Sequence, residues 1–236
     1  VPGRFFIFRA MAKLLLFDID GTLVDTGGAG MHALQEASLA VFGDRGPALD
    51  LAGSTDAGIV LGMLAHFGRS AELTDIQGFY RIYLERLELN LLSGAFKGSV
   101  LPGVATLLAQ LAATPDTHLA LLTGNIEDGA MLKMRHYQLD SFFVVGAFGN
   151  DHHDRNQLGP VALRRARDHF GHEFATSDVW VIGDTPKDIA CAHALGAPCL
   201  AVATGRFSAR ELADCGAARV MEDFSNSSAV AAVLLG

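Results

Sequence analysis

The chain has little cysteine and spaces it widely. Cys191, Cys199 and Cys215 are three among 236 residues, an odd number with no CxxC pair. That excludes a disulfide framework, offers no zinc-binding spacing, and leads us to expect a reducing, cytoplasmic compartment. No apolar run approaches the roughly 20 residues that a membrane-spanning helix needs, although half the residues are hydrophobic. The opening apolar stretch, Phe5–Phe8, is too short for a signal peptide. Residues 1–10 read as an extension ahead of Met11, and we assign them no function. Basic charge is scarce too: 18 Lys and Arg stand against 26 Asp and Glu, a net charge of −8. A dedicated nucleic-acid binder needs a basic stripe, so neither nucleic acid nor membrane is an expected partner. A small anionic ligand stays open, because a few local cations or a metal reverse the field locally. What the chain does have is enough apolar residues for a sizeable core. At roughly 100–200 residues per domain, the length allows one large domain or a domain with an insert.

Short apolar runs recur at Lys13–Asp20, His118–Thr123, Phe142–Val145, Asp178–Gly183 and Pro198–Ala203. They read as buried strands. Between them lie helical stretches at about 103–113, 127–138, 157–171 and 186–195. Alternation of this kind predicts an α/β fold, a Rossmann-like parallel sheet covered on both faces. From about Thr26 to Lys97 the alternation stops. Segments 29–42, 56–67 and 72–92 carry apolar residues at helical spacing, such as Leu84, Leu87 and Leu91. This predicts a helical cap, residues 26–97, inserted after the first strand into a core of residues 11–25 and 98–236.

In a parallel sheet, ligands bind beyond the carboxyl ends of the strands. Three such ends carry polar groups of one kind: Asp18-Ile19-Asp20-Gly21-Thr22, Thr123-Gly124-Asn125, and Gly183-Asp184-Thr185 with Asp188 one helical turn on. If these strands are neighbours, four carboxylates crowd one edge. Two unit charges 4 Å apart repel by about 4 kcal/mol at an effective dielectric near 20. Either some acids are protonated or a cation sits among them. All-oxygen ligands suit Mg²⁺, which takes one or two carboxylates, waters and substrate phosphate. The spacing of Asp18 and Asp20 lets one attack while the other moves a proton. An isolated DxD is commonly just a turn or a cap. Four acids and a threonine at three strand ends are a much rarer coincidence.

These residues resemble the haloacid dehalogenase superfamily: FDIDGTLVDT at 17–26, LLTGN at 121–125 and VIGDTPKDI at 181–189. The insert resembles the helical cap of the phosphoglycolate-phosphatase-like branch. The resemblance implies that Asp18 is the nucleophile, forming an aspartyl-phosphate. It makes Asp20 the general acid and then the general base, with its backbone carbonyl on Mg²⁺. It makes Thr123 a phosphoryl ligand, Asp184 a metal ligand, and Asp188 a holder of the metal or its waters. With Asp18 and Asp20, these form the metal set. Gly124 and Asn125 become substrate contacts. The third motif of the family is normally a lysine, and no lysine lies between Lys133 and Lys187. Arg155, directly before a helix, is the replacement we expect, although a surface arginine at a helix start would look the same. In related enzymes a cap loop selects the substrate, which makes Gly53 and Thr55 candidates. As a bland alternative, Gly53-Ser54-Thr55-Asp56 is a helix N-cap cluster.

Other patterns carry less. Gly28-Ala29-Gly30-Met31-His32-Ala33 with Asp50 mimics a dinucleotide fingerprint, but no strand leads directly into it; a hinge into the cap is expected instead. Asp151-His152-His153-Asp154 looks metal-like, yet adjacent residues rarely converge on one ion, so a solvated loop is expected. His32 and His66 read as packing or surface residues. Asp20 disfavours a dehalogenase, which would lack the second acid, and the absence of a cap lysine disfavours a phosphonate hydrolase. The expected function is a Mg²⁺-dependent phosphomonoester hydrolase for a small, phosphoglycolate-like phosphate ester, working as a monomer or homodimer. A sugar phosphomutase and a non-catalytic phosphate- or partner-binding domain remain the alternatives.

Overall fold

The computed structural model describes residues 12–47 and 52–236. Residues 1–10 and Asp50 of the dinucleotide pattern lie outside the described residues. The first strand, β1 (Lys13–Phe17), leads through a tight turn to β2 (Val24–Asp25). Three helices follow, α1 (Ala29–Phe42), α2 (Asp56–His66) and α3 (Leu73–Leu92). Then β3 (Ser99–Val100) pairs antiparallel with β2, placing Val24 opposite Val100. The chain therefore leaves and re-enters the sheet layer through one short ribbon.

From there helices and strands alternate. They are α4 (Val104–Ala112), β4 (Thr117–Leu122), α5 (Glu127–His136), β5 (Gly146–Ala147), α6 (Leu158–Phe170) and β6 (Val179–Gly183). The chain ends with α7 (Pro186–Leu195), β7 (Cys199–Val202), α8 (Ala209–Asp214), β8 (Arg219–Met221) and α9 (Ser227–Leu235). The main sheet has six strands in the order β5-β4-β1-β6-β7-β8, and its strand pairs are parallel.

Side-chain alternation divides the core. Leu15 and Phe17 of β1, with Leu119, Leu121 and Ile182, face one layer built from α4, α5 and α9. Leu14 and Leu16, with Ala120, Leu122 and Val181, face the other, built from α6, α7 and α8. Residues i and i+2 share a face of a strand, so one apolar run serves both layers and reads as continuously hydrophobic. The helices α1 to α3 have a third core of their own, in which Leu34, Val60, Met63, Phe79, Tyr83 and Leu87 are buried. No helix among the described residues is long and apolar enough to cross a membrane.

One expectation needs correction. Phe142–Val145 is not a strand: residues 140–142 form a 3-10 turn, and the pairing with β4 runs through Gly146 and Ala147. Phe143 instead packs edge-on against Phe17, 6.0 Å between ring centroids, while Val144 is exposed. A short apolar run does not distinguish a strand from a packed turn. The elements β2, β3, β8, α8 and α9 were also not anticipated. Each strand has only two or three residues, and the Ser- and Ala-rich tail shows little amphipathic contrast. Asn226 nonetheless caps α9 by accepting from the Ala229 N–H.

Candidate active site

β1 lies between β4 and β6, so the three polar strand ends are neighbours. Beyond β1 the ladder continues for one residue, with the Asp18 N–H donating to the Ile182 carbonyl at 2.9 Å. The chain then turns sharply: the Ile19 carbonyl accepts from Leu23 and Val24, and Gly21 adopts φ +81. Gly21 has a second reason to lack a side chain. A Cβ there would lie 2.4 Å from an Asp184 carboxylate oxygen.

Asp18, Asp184 and Asp188 form a buried triad whose carboxylate oxygens lie within 4.8 Å of one another. Burial, and repulsion by its acidic neighbours, push Asp184 up to about 8. Burial pushes Asp18 up to about 6, against the attraction of Arg155. Three hard oxygen donors held this closely fit a divalent cation of the Mg²⁺ kind, which would remove the repulsion. Asp188 is oriented by a capping box at the start of α7: its Oδ2 accepts from the Thr185 N–H at 3.0 Å and from the Thr185 hydroxyl at 2.7 Å.

Arg155 is 6 % exposed, which rules out the surface reading. It enters from a 3-10 turn at residues 155–157 whose N-cap is Asp154. Its Nη2 pairs with Asp18 Oδ1 at 3.0 Å, makes a very short contact to Asp188, and donates to the Leu122 carbonyl at 3.2 Å. Its Nη1 donates to the Gly53 carbonyl at 3.3 Å. The guanidinium therefore ties together two acids from different strand ends.

Asp20 is held apart from the triad. Lys133 of α5 donates to both its oxygens, at 2.8 and 2.6 Å, and to Asn125 Oδ1 at 2.6 Å. Asn125 in turn donates to Asp20 at 2.8 Å and to the Thr123 hydroxyl at 2.9 Å. The side chain of Asp20 is thus committed to Lys133 and Asn125, which leaves its backbone carbonyl as the group it could offer a metal. Sequence reasoning missed Lys133. The signal was there: it sits on the buried face of α5 with Ala130 and Met134, and a lysine is almost never buried unless paired.

The segment before α2 rests on the end of β4. The Asp56 N–H donates to the Gly124 carbonyl at 2.7 Å, and Asp56 Oδ2 accepts from the Ile126 N–H at 2.9 Å. A Cβ on Gly124 would lie 2.0 Å from the Ser54 carbonyl oxygen. Gly53, at φ +64, lines the cavity with Gly124 and Asn125. Thr55 takes the cap position that was the alternative reading. It accepts from the Gly58 N–H, donates to the His153 carbonyl at 2.6 Å, and lines an adjoining cavity with Gly53, Ser54 and Arg155 rather than this one. Thr123 is fully buried beneath the Asn125 contacts. Asp56 was read only as part of a cap cluster. It lines the cavity, and burial pushes its carboxyl up to about 6, against the attraction of Lys133.

The remaining patterns are structural. Asp151 pairs with Arg165 at 2.6 Å, His152 and His153 stack, and Asp154 caps a turn. His32 contacts Asn90 and Glu36 on α1 and α3. The cavity itself, about 450 Å³, is bounded by the strand ends on one side and by residues from α1, α2 and α3 on the other.

Residues 15–193 match the family of haloacid dehalogenase-like hydrolases. A phosphoglycolate phosphatase from Rhodospirillum rubrum is 29% identical over 224 residues, covering 92% of this chain and 89% of that one. Among solved structures, a hydrolase from Pseudomonas syringae superposes with a TM-score of 0.69 at 20% identity, covering 94% and 98% of the two chains. A CbbY variant from Rhodobacter sphaeroides, in complex with xylulose-1,5-bisphosphate, gives 0.71 at 20% identity over 91% and 96%. These two show a shared fold.

Proposed function

The chain belongs to the haloacid dehalogenase-like hydrolases, and from that premise we propose that it is a Mg²⁺-dependent phosphomonoester hydrolase for a small metabolite phosphate the size of phosphoglycolate. The observation that carries this reading is the pairing of Asp18 with Arg155 at 3.0 Å, beside an Asp20 held independently by Lys133 and Asn125. Two carboxylates two residues apart are kept in unlike environments, as nucleophilic and acid–base roles require.

In this reading an Asp18 oxygen attacks phosphorus, the bond from phosphorus to the ester oxygen breaks, and Asp20 gives its proton to the departing alcohol. Asp20 then takes a proton from water as that water attacks the phosphoryl group on Asp18, releasing phosphate and restoring the carboxylate. Arg155 faces the charge that spreads over the phosphoryl oxygens, which is the main work in phosphoryl transfer. Thr123 accepts from Asn125, and in this reading its own O–H would be given to a phosphoryl oxygen. Gly124, with no side chain, lets the backbone approach. Asp18, Asp184, Asp188 and the Asp20 carbonyl would hold Mg²⁺, which when bound lets an anionic carboxylate approach an anionic phosphate. Residues 26–97 serve as the cap over a core of 11–25 and 98–236, with the glycines before α1 as the hinge. The enzyme acts in the cytoplasm as a monomer or homodimer.

The test is hydrolysis of 4-nitrophenyl phosphate with Mg²⁺, with EDTA, and by Asp18→Asn. Turnover that needs both the metal and Asp18 is expected. Turnover surviving EDTA or the substitution would overturn the reading, as would none in any condition.

A further inference from the structure

The cavity has two unlike walls. The strand-end wall carries every cation that lines it, namely Lys133, Arg155 and Arg206. The wall contributed by residues 26–97 presents Met31, Leu34, Ile59 and Tyr83, together with one carboxylate, Asp56, and no Lys, Arg or His among the described residues.

Two of these cations, Lys133 and Arg155, already pair with carboxylates. An ammonium has three N–H donors, and Lys133 makes three short contacts, two to Asp20 and one to Asn125. Arg155 is held by Asp18, Asp188 and two backbone carbonyls. Arg206 follows Gly205, whose added Cβ would strike Asp184, and its guanidinium lies 4.8 Å over the Phe207 ring. Asp56 is different. It is 6 % exposed, its Oδ2 is used by the Ile126 N–H, and no donor among the described residues reaches its Oδ1.

A ligand held at Asp18 and Arg155 thus extends toward an apolar wall containing one buried acceptor. A second anionic group beside Asp56 would face a like charge, and the ammonium that attracts Asp56, that of Lys133, is already used by Asp20 and Asn125; like charge set against a ligand is how a site rejects a wrong partner. A hydroxyl would donate to the open carboxylate oxygen. We propose that the leaving group is an uncharged, hydroxyl-bearing alcohol of few carbons, and that Asp56 is the residue that discriminates against a carboxylate on it. This rests on the phosphomonoesterase reading above and narrows it: the preferred substrate has the size of phosphoglycolate but not its carboxylate.

The experiment compares two substrates of one skeleton, 2-phosphoglycolate and 2-hydroxyethyl phosphate, with 4-nitrophenyl phosphate as the common control. The wild-type chain is assayed with Mg²⁺. We expect kcat/KM to favour 2-hydroxyethyl phosphate by about tenfold or more, and Asp56→Asn to bring that ratio toward one by raising activity on phosphoglycolate. A wild-type preference for phosphoglycolate overturns the inference, whatever the variant does. So does an unchanged ratio in Asp56→Asn. In both cases hydrolysis of the aryl ester continues and the phosphatase reading stands. Absence of aryl ester hydrolysis overturns that reading, and this inference with it.

Discussion

Replacing Asp56 by Asn should make the protein more stable at about pH 8, and less so as the pH falls. The Asp56 carboxyl is raised from 3.8 to about 6, chiefly by burial. A shift of about two units corresponds to about 3 kcal/mol of cost for the ionised, folded form, at 1.36 kcal/mol per unit. Asp56 is the first residue of α2, and a negative charge at a helix N-terminus recovers about 0.3–1 kcal/mol. The net gain for Asn is then about 2 kcal/mol. For a chain of this size that is a rise in Tm of about 4–8 °C. Asn keeps an oxygen able to accept the Ile126 N–H, so the bond need not be lost. The direction with pH follows from the sign of the shift. The folded carboxyl binds its proton more tightly than the unfolded one, so acidification favours the folded wild type. Its contribution is complete below the unfolded value of 3.8 and is lost as pH rises through about 6. At about pH 5 the advantage of Asn should have fallen by roughly half. Asp18 and Asp184 titrate in both proteins and cancel in the difference. Urea unfolding of both chains at about pH 8 and about pH 5 measures this. A variant less stable at pH 8, or a difference independent of pH, would refute the argument that this carboxylate is held at a cost to the fold.

Two further substitutions probe the site. Lys133→Met leaves Asp20 with Asn125 alone, and kcat for an alkyl phosphate should drop by about 10- to 100-fold. Loss on 4-nitrophenyl phosphate should be smaller, since that leaving group needs little help from a proton; an equal loss on both esters would argue against a role through Asp20. In Gly205→Ala the new Cβ would stand 1.8 Å from Asp184 Oδ2. The carboxylate must move, and the Mg²⁺ concentration for half-maximal activity should rise by about tenfold or more; an unchanged Mg²⁺ titration in a folded variant would remove Asp184 from the metal set.

The strand ends show how far linear sequence reaches. Buried parallel strands need continuous apolar runs, and acids placed directly after them have few structural uses, so Asp18, Asp20, Asp184 and Asp188 stood out together. The three helices of the insert were legible because each carries apolar residues at helical spacing. The boundaries of α1 agree with the predicted 29–42. Short elements such as β5 and β8 were not legible, because two or three residues carry no period. At Thr55 the sequence left two readings open, because a helix cap and a ligand contact use the same residue types, and the structure shows the cap.

The sequence by itself determined the layered α/β architecture, the crowding of carboxylates at one sheet edge, and the placing of a helical segment after the first strand. These depend on periodicity and on residues close in the chain. Only the tertiary structure decided what surrounds each acid. Arg155 lies 137 positions after Asp18 and Lys133 lies 113 after Asp20, yet each meets its acid within 3.0 Å. Asp56 becomes a buried carboxylate in the cavity wall only because α2 docks on the end of β4. Charge, burial and hydrogen bonding depend on such long-range neighbours, and they give Asp18, Asp20 and Asp56 unlike surroundings although all three are aspartates.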